Sequence, residues 1–506
     1  MVRFLLPDGR RRWVAAVSDG HRRPDFSPLA RRGQSYSRIA SIFAVIRNFL
    51  LRAPLPGHQH FTPLGKALRR CTSSAHEHPS RRPAVRTMND RSASVRFILI
   101  TLVIDALGFG LVVPIVPSLV VKLSGLPVSE ASVWVGALLT AFALMQFACA
   151  PILGALSDRF GRRPVLLLSL SGICANYLML AWAPSLAWLF LGRLIAGATA
   201  ANAATATAYI ADVTPPHKRA GQFGLIGAAF GVGFVVGPAL GGLLGSYGLR
   251  LPFVVAAVLA GCNVMYGFFV LPESLPPALR RPINWRRANP LGSLRVMTAS
   301  RNLRRLAIAW GSTWFALGAL QSTFVLANQE RFGWDTQHNG LALALAGLGS
   351  AIVQGLLVRR IVPALGERMA AMTGATITAC AYLCIALAPF GWVVLVGIVM
   401  QAMGAMTNPA IQGMVSSSAS PDRQGETQGA LASVQGLTAI ASPLVASFVF
   451  SSFTGSGAPF QLAGAPFVVS AFAYGLAFWA ISGVRPPPAL VAAEAAATMG
   501  ETGGHR

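Results

Sequence analysis

The sequence predicts an all-α, polytopic membrane protein of twelve transmembrane helices arranged as two six-helix halves. Three observations carry that expectation. Of the 506 residues, 54% are hydrophobic and only 12% charged, with 51 Gly and 33 Pro, whereas soluble domains usually hold about 25% charged residues. From residue 97 onward, apolar runs of about 20 residues, the length that crosses a bilayer, recur between short polar or Gly/Pro-rich turns. An Arg-rich stretch divides those runs six and six.

The first run, 97–121, is "ILITLVIDALGFGLVVPIVPSLV" at its heart and ends at Lys122. The second, 132–156, leads into the loop "SDRFGRRP". The third (164–183) and fourth (186–210) are parted by "APS", and the fifth (222–246) follows "PPHKRAG". The sixth, 252–271, closes the first half. The loop "PESLPPALRRPINWRRANPLGSLRVMTASRNLRR" (272–305) then breaks the pattern. The second half runs through 306–327, 338–358, 368–388, 391–412, 428–452 and 465–483. In lipid the backbone must satisfy its own hydrogen bonds, so runs of this length are helices; barrel strands are shorter and alternate in polarity. The expected domains are an N-terminal extension (1–87), a six-helix half (88–271), a middle loop (272–305), a second half (306–485) and a tail (486–506).

A net charge of +25 invites a nucleic-acid reading, but its distribution excludes one. Residues 1–87 hold 17 of the 42 basic residues and 4 of the 17 acidic ones, about half the excess. In the rest, Arg91, Arg96, Arg159, Arg162, Arg163, Lys218, Arg219, Arg359, Arg360, Arg368 and Arg423 fall on alternate loops that form one side. The other side has little beyond Lys122, Arg250 and Arg331. By the positive-inside rule both termini and the middle loop are cytoplasmic. Residues 1–87 are Arg-rich and acid-poor, as transit peptides are. However, "MNDRSASVRFILITL" at Met88 reads like the start of a transporter, so the extension is expected to be disordered or non-native. Five of the six cysteines lie inside the spans without metal or disulfide spacing, and are read as small packing residues.

Two motifs stand out. The loop after the second span, "GALSDRFGRRP", holds Gly154, Asp158, Arg159, Gly161, Arg162 and Arg163; the loop after the eighth, "GLLVRRIVPALGERMA", is a degraded copy, the weak internal symmetry of a repeat-built transporter. The fifth run, "GLIGAAFGVGFVVGPALGG", spaces Gly224, Gly233, Gly237, Pro238, Gly241 and Gly242 as Gly-x8-Gly-x3-Gly-Pro-x2-Gly-Gly. Glycines four apart form one ridge on which a neighbouring helix can lie closely, and Pro238 removes a backbone hydrogen bond. Ordinary small-residue packing explains any single glycine; only the whole spacing says more.

On these motifs, with "GRLIAGATA" and "AYIADVT", residues 95–485 resemble the major facilitator superfamily, and within it the proton-coupled tetracycline-efflux pumps. The resemblance implies alternating access, an antiporter motif in the fifth helix, and a gate in which Asp158 and Arg162 pair with neighbouring helix ends in one access state. The plainer role of those arginines, holding the loop in the cytoplasm, is compatible with it. The pattern is incomplete: the pumps' third-helix Asp aligns with Asn176, their ninth-helix Asp with Thr378, and their eighth-helix His with Ser350.

Within the spans, Asp105 is the only deep carboxylate and Arg193 the only comparably placed base. Charge at membrane depth costs several kcal/mol unless paired or hydrated, so each is a functional candidate. At 1.5 Å per residue, Asp105 lies about 12 Å along its helix. A proton-carrying role for Asp105, with Arg193 beside it, competes with a structural carboxylate that bonds helix ends. Gln146, Asn176, Asn202, Gln321, Asn408 and Gln412 are candidates for lining a substrate cavity or for bonding neighbouring helices.

The expected protein is therefore a monomeric inner-membrane exporter of a tetracycline-like or other amphipathic drug. It would be driven by protons rather than ATP, since no Gly-x4-Gly-Lys-Ser/Thr loop is present, and no metal, cofactor or nucleic acid is expected. A metabolite or multidrug exporter or facilitator of diverged specificity is the alternative, and a non-transporting receptor or scaffold a remote one. No Ser/His/Asp, paired-carboxylate or His-rich constellation in the spans suggests an enzyme.

Overall fold

A computed structural model of the chain describes residues 2–5, 11–14, 88–280, 282, 290–418 and 424–484. The chain forms two units, Met1–Ala84 and Val85–Arg506. In the first, Val2–Leu5 and Arg11–Val14 pair as an antiparallel hairpin, with Val2 opposite Val14 and Leu5 opposite Arg11. Reading 1–87 as a disordered or non-native extension contained no such element; the alternation of apolar and basic residues over so few positions is too short a signal. The remainder of that stretch, and the expected tail 486–506, lie outside the described residues.

The second unit is a helical bundle. Its first span runs Met88–Val112 and, after a break, Val116–Ser124, bent by 42°. Pro114 supplies no backbone N–H, so the continuous helix expected over 97–121 breaks around it, at 113–115, and Pro117 sits in the first turn of the second piece, where a missing N–H costs little. The second span is Val128–Phe160, the third Arg162–Ala181. The fourth is split into Leu186–Thr199 and Asn202–Val213, where an unbroken helix was expected. Pro216–Tyr247 and Leu251–Val270 complete this half.

After a short helix in the middle loop (Pro290–Thr298), the seventh span is Arg301–Phe332. The eighth comprises Thr336–Ile352, a π-helical turn at Val353–Leu357, and Val358–Leu365. The ninth is Glu367–Leu387; the tenth is again divided, Gly391–Met403 and Thr407–Ser418 around a 3-10 turn. Gln424–Thr454 and Ala465–Ser482 end the bundle.

Among the described residues ten helices are long and apolar enough to cross a membrane, eleven when the bent first pair counts as one. The seventh span falls short for a physical reason: Ser312, Thr313, Ser322 and Thr323 are all buried in it. This helix packs on the second, eleventh and twelfth spans, and a helix enclosed by protein does not need the apolarity that lipid demands of an exposed one.

The first span packs on the fifth and sixth, the third on the fourth and sixth, the ninth on the tenth and twelfth. The halves meet along two seams, the fifth span on the eighth and the second on the eleventh. Across the latter, Ser132 Oγ donates to the Ser447 carbonyl at 3.2 Å and Thr140 Oγ1 to the Ile440 carbonyl at 2.8 Å. A side chain at Gly136 would strike the Pro443 carbonyl at 2.6 Å. Backbones this close are possible only where the residue has no side chain.

Candidate functional site

The fifth-span glycines form the ridge their spacing predicts. Gly233, Gly237 and Gly241 face Ala106, Gly110 and Leu111 of the first span, so closely that a side-chain carbon at Gly237 would lie 3.0 Å from the Leu107 carbonyl. Gly242 turns to the other half, against Thr336, Gln337 and Gly340 of the eighth span. Pro238 is buried inside the helix, and its carbonyl also faces Gly340. Gly224 does not join this ridge: nothing lies within 4 Å of where its side chain would be. The motif thus holds one helix between two others at its end nearest Tyr247, and stands clear at its start.

The arginine loop is built around a turn that needs glycine. Gly161, at φ 109°, separates the second span from the third, and a side chain there would collide with the Glu273 carboxylate. That carboxylate accepts the backbone N–H groups of Arg162 (2.8 Å) and Arg163 (3.2 Å), the first donors of the third span, and of Leu275 (3.0 Å). A carboxylate at a helix N-terminus satisfies orphan donors and the helix dipole together. The Arg162 guanidinium reaches Asp158 at 2.6 Å and Asp212, at the end of the fourth span, at 3.2 Å; Ser274 also donates to Asp212. Arg163 donates to the Phe268 carbonyl at 2.6 Å, and Arg159 lies over the Phe160 ring. Gly154 faces open space.

Asp212, Glu273 and Ser274 were not singled out from sequence. They sit just past the ends of the fourth and sixth spans, where a polar residue is unremarkable until folding brings it to the loop. Of the expected pairings with neighbouring helix ends, Arg162 makes one, to Asp212, and its backbone N–H another, to Glu273, whereas Asp158 pairs with Arg162 itself rather than with a neighbouring helix.

At membrane depth Asp105 is half-buried and held by two amides. Asn202 Nδ2 donates to Oδ2 at 2.6 Å, and Asn263 Nδ2 reaches Oδ1 at 3.4 Å while also donating to the Thr101 carbonyl at 3.3 Å. Asn202 begins the second half of the split fourth span; Asn263 comes from the sixth. Arg193, expected to act beside Asp105, forms no ion pair with it among the described residues; it is 8% exposed, and the Tyr177 phenol is the group that interacts electrostatically with both. Tyr177 in turn lies against Gly108, where a side chain would sit 3.0 Å from its hydroxyl.

The polar candidates are not gathered into one site. Asn202 joins Asp105. Asn176 is buried beside Gly192 with its Oδ1 unpaired, and Asn408 Oδ1 is likewise unpaired. Gln146 and Gln321 are half-buried, whereas Gln412 is exposed and bonds Gln428 of the eleventh span at 3.3 Å. Asn263, which sequence reasoning missed, was hidden because one Asn in a hydrophobic run is unremarkable without knowledge of which face it occupies.

The family description of the Major Facilitator Superfamily matches residues 98–391 and 360–499. The chain belongs to the Major Facilitator Superfamily. Among the relatives it resembles is the tetracycline resistance protein, class C, of Escherichia coli, 40% identical over 70% of this chain and 89% of that protein. Class D from Salmonella ordonez is 36% identical over 70% and 88%. The solved human organic anion transporter MFSD10 is 29% identical, with a TM-score of 0.59 over 77% of this chain and 99% of that one. The facilitator fold and these relatives identify a secondary transporter similar to the tetracycline resistance proteins.

Proposed function

We propose that this chain exports a tetracycline-like or other amphipathic small molecule across an inner (plasma) membrane in exchange for protons, as a monomer with both termini cytoplasmic and no cofactor. The observation that carries the reading is the Asp105 cluster: a carboxylate inside a span, solvated by amides from the fourth and sixth spans. Such a group can take up a proton and release it as access alternates, because its surroundings are polar enough to hold a charge and, among the described residues, no ion pair fixes it. The glycine seams and the arginine loop supply the moving parts. The loop's ion pairs and the Glu273 cap bias whichever access state contains them.

The test is uptake into everted membrane vesicles with an acidic interior, where export appears as accumulation. Wild-type protein accumulates tetracycline or an unrelated amphipathic drug, and Asp105→Asn accumulates neither, though it still equilibrates substrate down its own gradient. Proton-driven accumulation by Asp105→Asn at the wild-type rate would overturn the reading.

A further inference from the structure

We infer that Asn202, expected from the sequence to line the substrate cavity, is instead the hydrogen-bond switch of the coupling site, its side-chain amide rotating so that it serves Asp105 in both the ionised and the protonated state. The inference rests on the proton-exchange reading above and names the positioning residue that reading requires.

Three observations point to Asn202. Its Nδ2 lies 2.6 Å from Asp105 Oδ2, the closest contact the carboxylate makes with a side chain among the described residues. Its Oδ1 is buried and has no partner. It also opens the half-helix Asn202–Val213 directly after the break at Ala200 and Ala201, so the first, otherwise unpaired backbone N–H groups of that half-helix lie at its base.

The chemistry follows from what each group can donate. Ionised Asp105 only accepts, and Asn202 Nδ2 gives it a charge-assisted hydrogen bond. When a proton binds at Oδ2, the charge-assisted bond from Nδ2 is lost to a much weaker one, and the new O–H needs an acceptor of its own. Rotating the Asn202 amide by half a turn brings its unpaired Oδ1 to the new O–H. Nδ2 moves to where Oδ1 had no partner. One O–H bond forms, and the proton leaves along the same path when the amide turns back.

Asn263 cannot do this. Its Nδ2 is shared between Asp105 Oδ1 and the Thr101 carbonyl, and rotation would set two acceptors against its own oxygen. Asn263 is the fixed partner and Asn202 the moving one. Among the described residues, the titratable side chain that interacts with Asp105 is Tyr177 from the third span, which in turn interacts with Arg193 of the fourth. The first span's other close neighbour, the fifth, presents glycines.

The test compares Asn202→Ala, which can neither donate nor accept, with Asn202→Thr, whose hydroxyl can do both, in the full chain. A hydrogen bond to a charged group is worth about tenfold or more in an equilibrium. Asn202→Ala is therefore expected to lose at least about tenfold in proton-driven accumulation, a larger loss than in substrate counterflow without a proton gradient, and to displace the pH profile of transport. Asn202→Thr restores accumulation.

A direct signature comes from pH-difference infrared spectroscopy. The carboxylic C=O band assigned through Asp105→Asn shifts in Asn202→Ala, because the protonated acid has lost its acceptor. Unchanged accumulation and an unchanged band in Asn202→Ala overturn the switch. Equal loss of counterflow and accumulation, with no rescue by Thr, also overturns it in favour of a merely structural role. If Asp105→Asn itself retains proton-driven accumulation, the reading beneath it fails instead, so the two failures are told apart.

Discussion

Replacing Gly241 by Ala should weaken the transporter, whereas the same replacement at Gly224, in the same helix and the same sequence motif, should not. A side-chain carbon at Gly241 would overlap the Leu111 carbonyl oxygen and sit 2.8 Å from its carbon and 2.9 Å from Cα. Ordinary contact begins near 3.4 Å, so the first span must retreat by roughly half an ångström or more, forfeiting dispersion along the seam. The obstacle is backbone, which cannot swing aside. Overpacking of this kind costs about 1–3 kcal/mol. At Gly224 nothing lies within 4 Å. Both changes gain about 1 kcal/mol of helix propensity, so that gain cancels in the comparison. The two variants should differ in stability by about 1–3 kcal/mol, roughly 5- to 150-fold in an equilibrium. Denaturant midpoints of the purified full chain in lipid nanodiscs, with accumulation in everted vesicles alongside, provide the measurement. Equal midpoints, or a Gly224→Ala variant as damaged as Gly241→Ala, would refute the assignment of the ridge.

Glu273→Ala strips the cap from three backbone N–H groups; a loss of about 1–2 kcal/mol in the state that contains it should cut transport roughly 5- to 30-fold at normal membrane abundance, as read in vesicle uptake. Asp212→Asn removes one of the two ion pairs of Arg162 and should have a smaller effect of the same kind, about twofold to fivefold, since partly exposed pairs are worth less than about 1 kcal/mol. Asp335 caps the eighth span, accepting the backbone N–H of His338. That hydrogen bond, above all, holds its carboxyl below the usual carboxylate range. The stabilisation is therefore complete above the unfolded value, about 3.9, and is lost as pH falls through the lower folded value. Asp335→Ala should lower the thermal midpoint at neutral pH, by the equivalent of about 1 kcal/mol, and the gap from wild type should close in acid; a gap that widens below pH ~4 would contradict the cap.

Much of the fold was legible because lipid leaves the chain few choices. Once backbone groups must satisfy themselves, a 20-residue apolar run is a helix, and counting runs gives the bundle. What could not be read was where helices break. The fourth span divides at Ala200 and Ala201 without a proline; the tenth divides at Gly404–Met406, where Pro409 has no N–H for the Ala405 carbonyl and Gly404 lies close against Thr378 and Gly374 of the ninth span. The site was half legible for a similar reason. Asp105 announces itself by its charge, but Asn202 and Asn263 are distinguished from other uncharged polar residues only by the face they occupy, and Asp212 and Glu273 only by the loop they meet. The expected partnership of Arg193 with Asp105 failed on the same ground: both lie at comparable depth, but the amides, not the guanidinium, stand at the carboxylate.

The position of Asp105 in the packing gives its charge a route to the rest of the molecule. The next residue, Ala106, is pressed against Gly233, and Gly110 and Leu111 continue the seam along Gly237 and Gly241. One face of the first span is therefore locked to the fifth while another carries the carboxylate toward the fourth and sixth. The fifth span is itself seated on the eighth, in the other half, through Gly242 against Gly340 and Phe234 against Gly347. Close-packed backbones do not deform continuously; they shift as units between discrete arrangements. A change of hydrogen bonding at Asp105 that lets the first span move relative to the split fourth must carry the fifth with it, and so bear on the seam between the halves. A lone acid can in this way bias a global equilibrium without a second carboxylate in the opposite half, provided the glycine contacts remain close enough to transmit the motion, and for that reason the Gly241 substitution and the Asn202 substitutions probe one mechanism from its two ends.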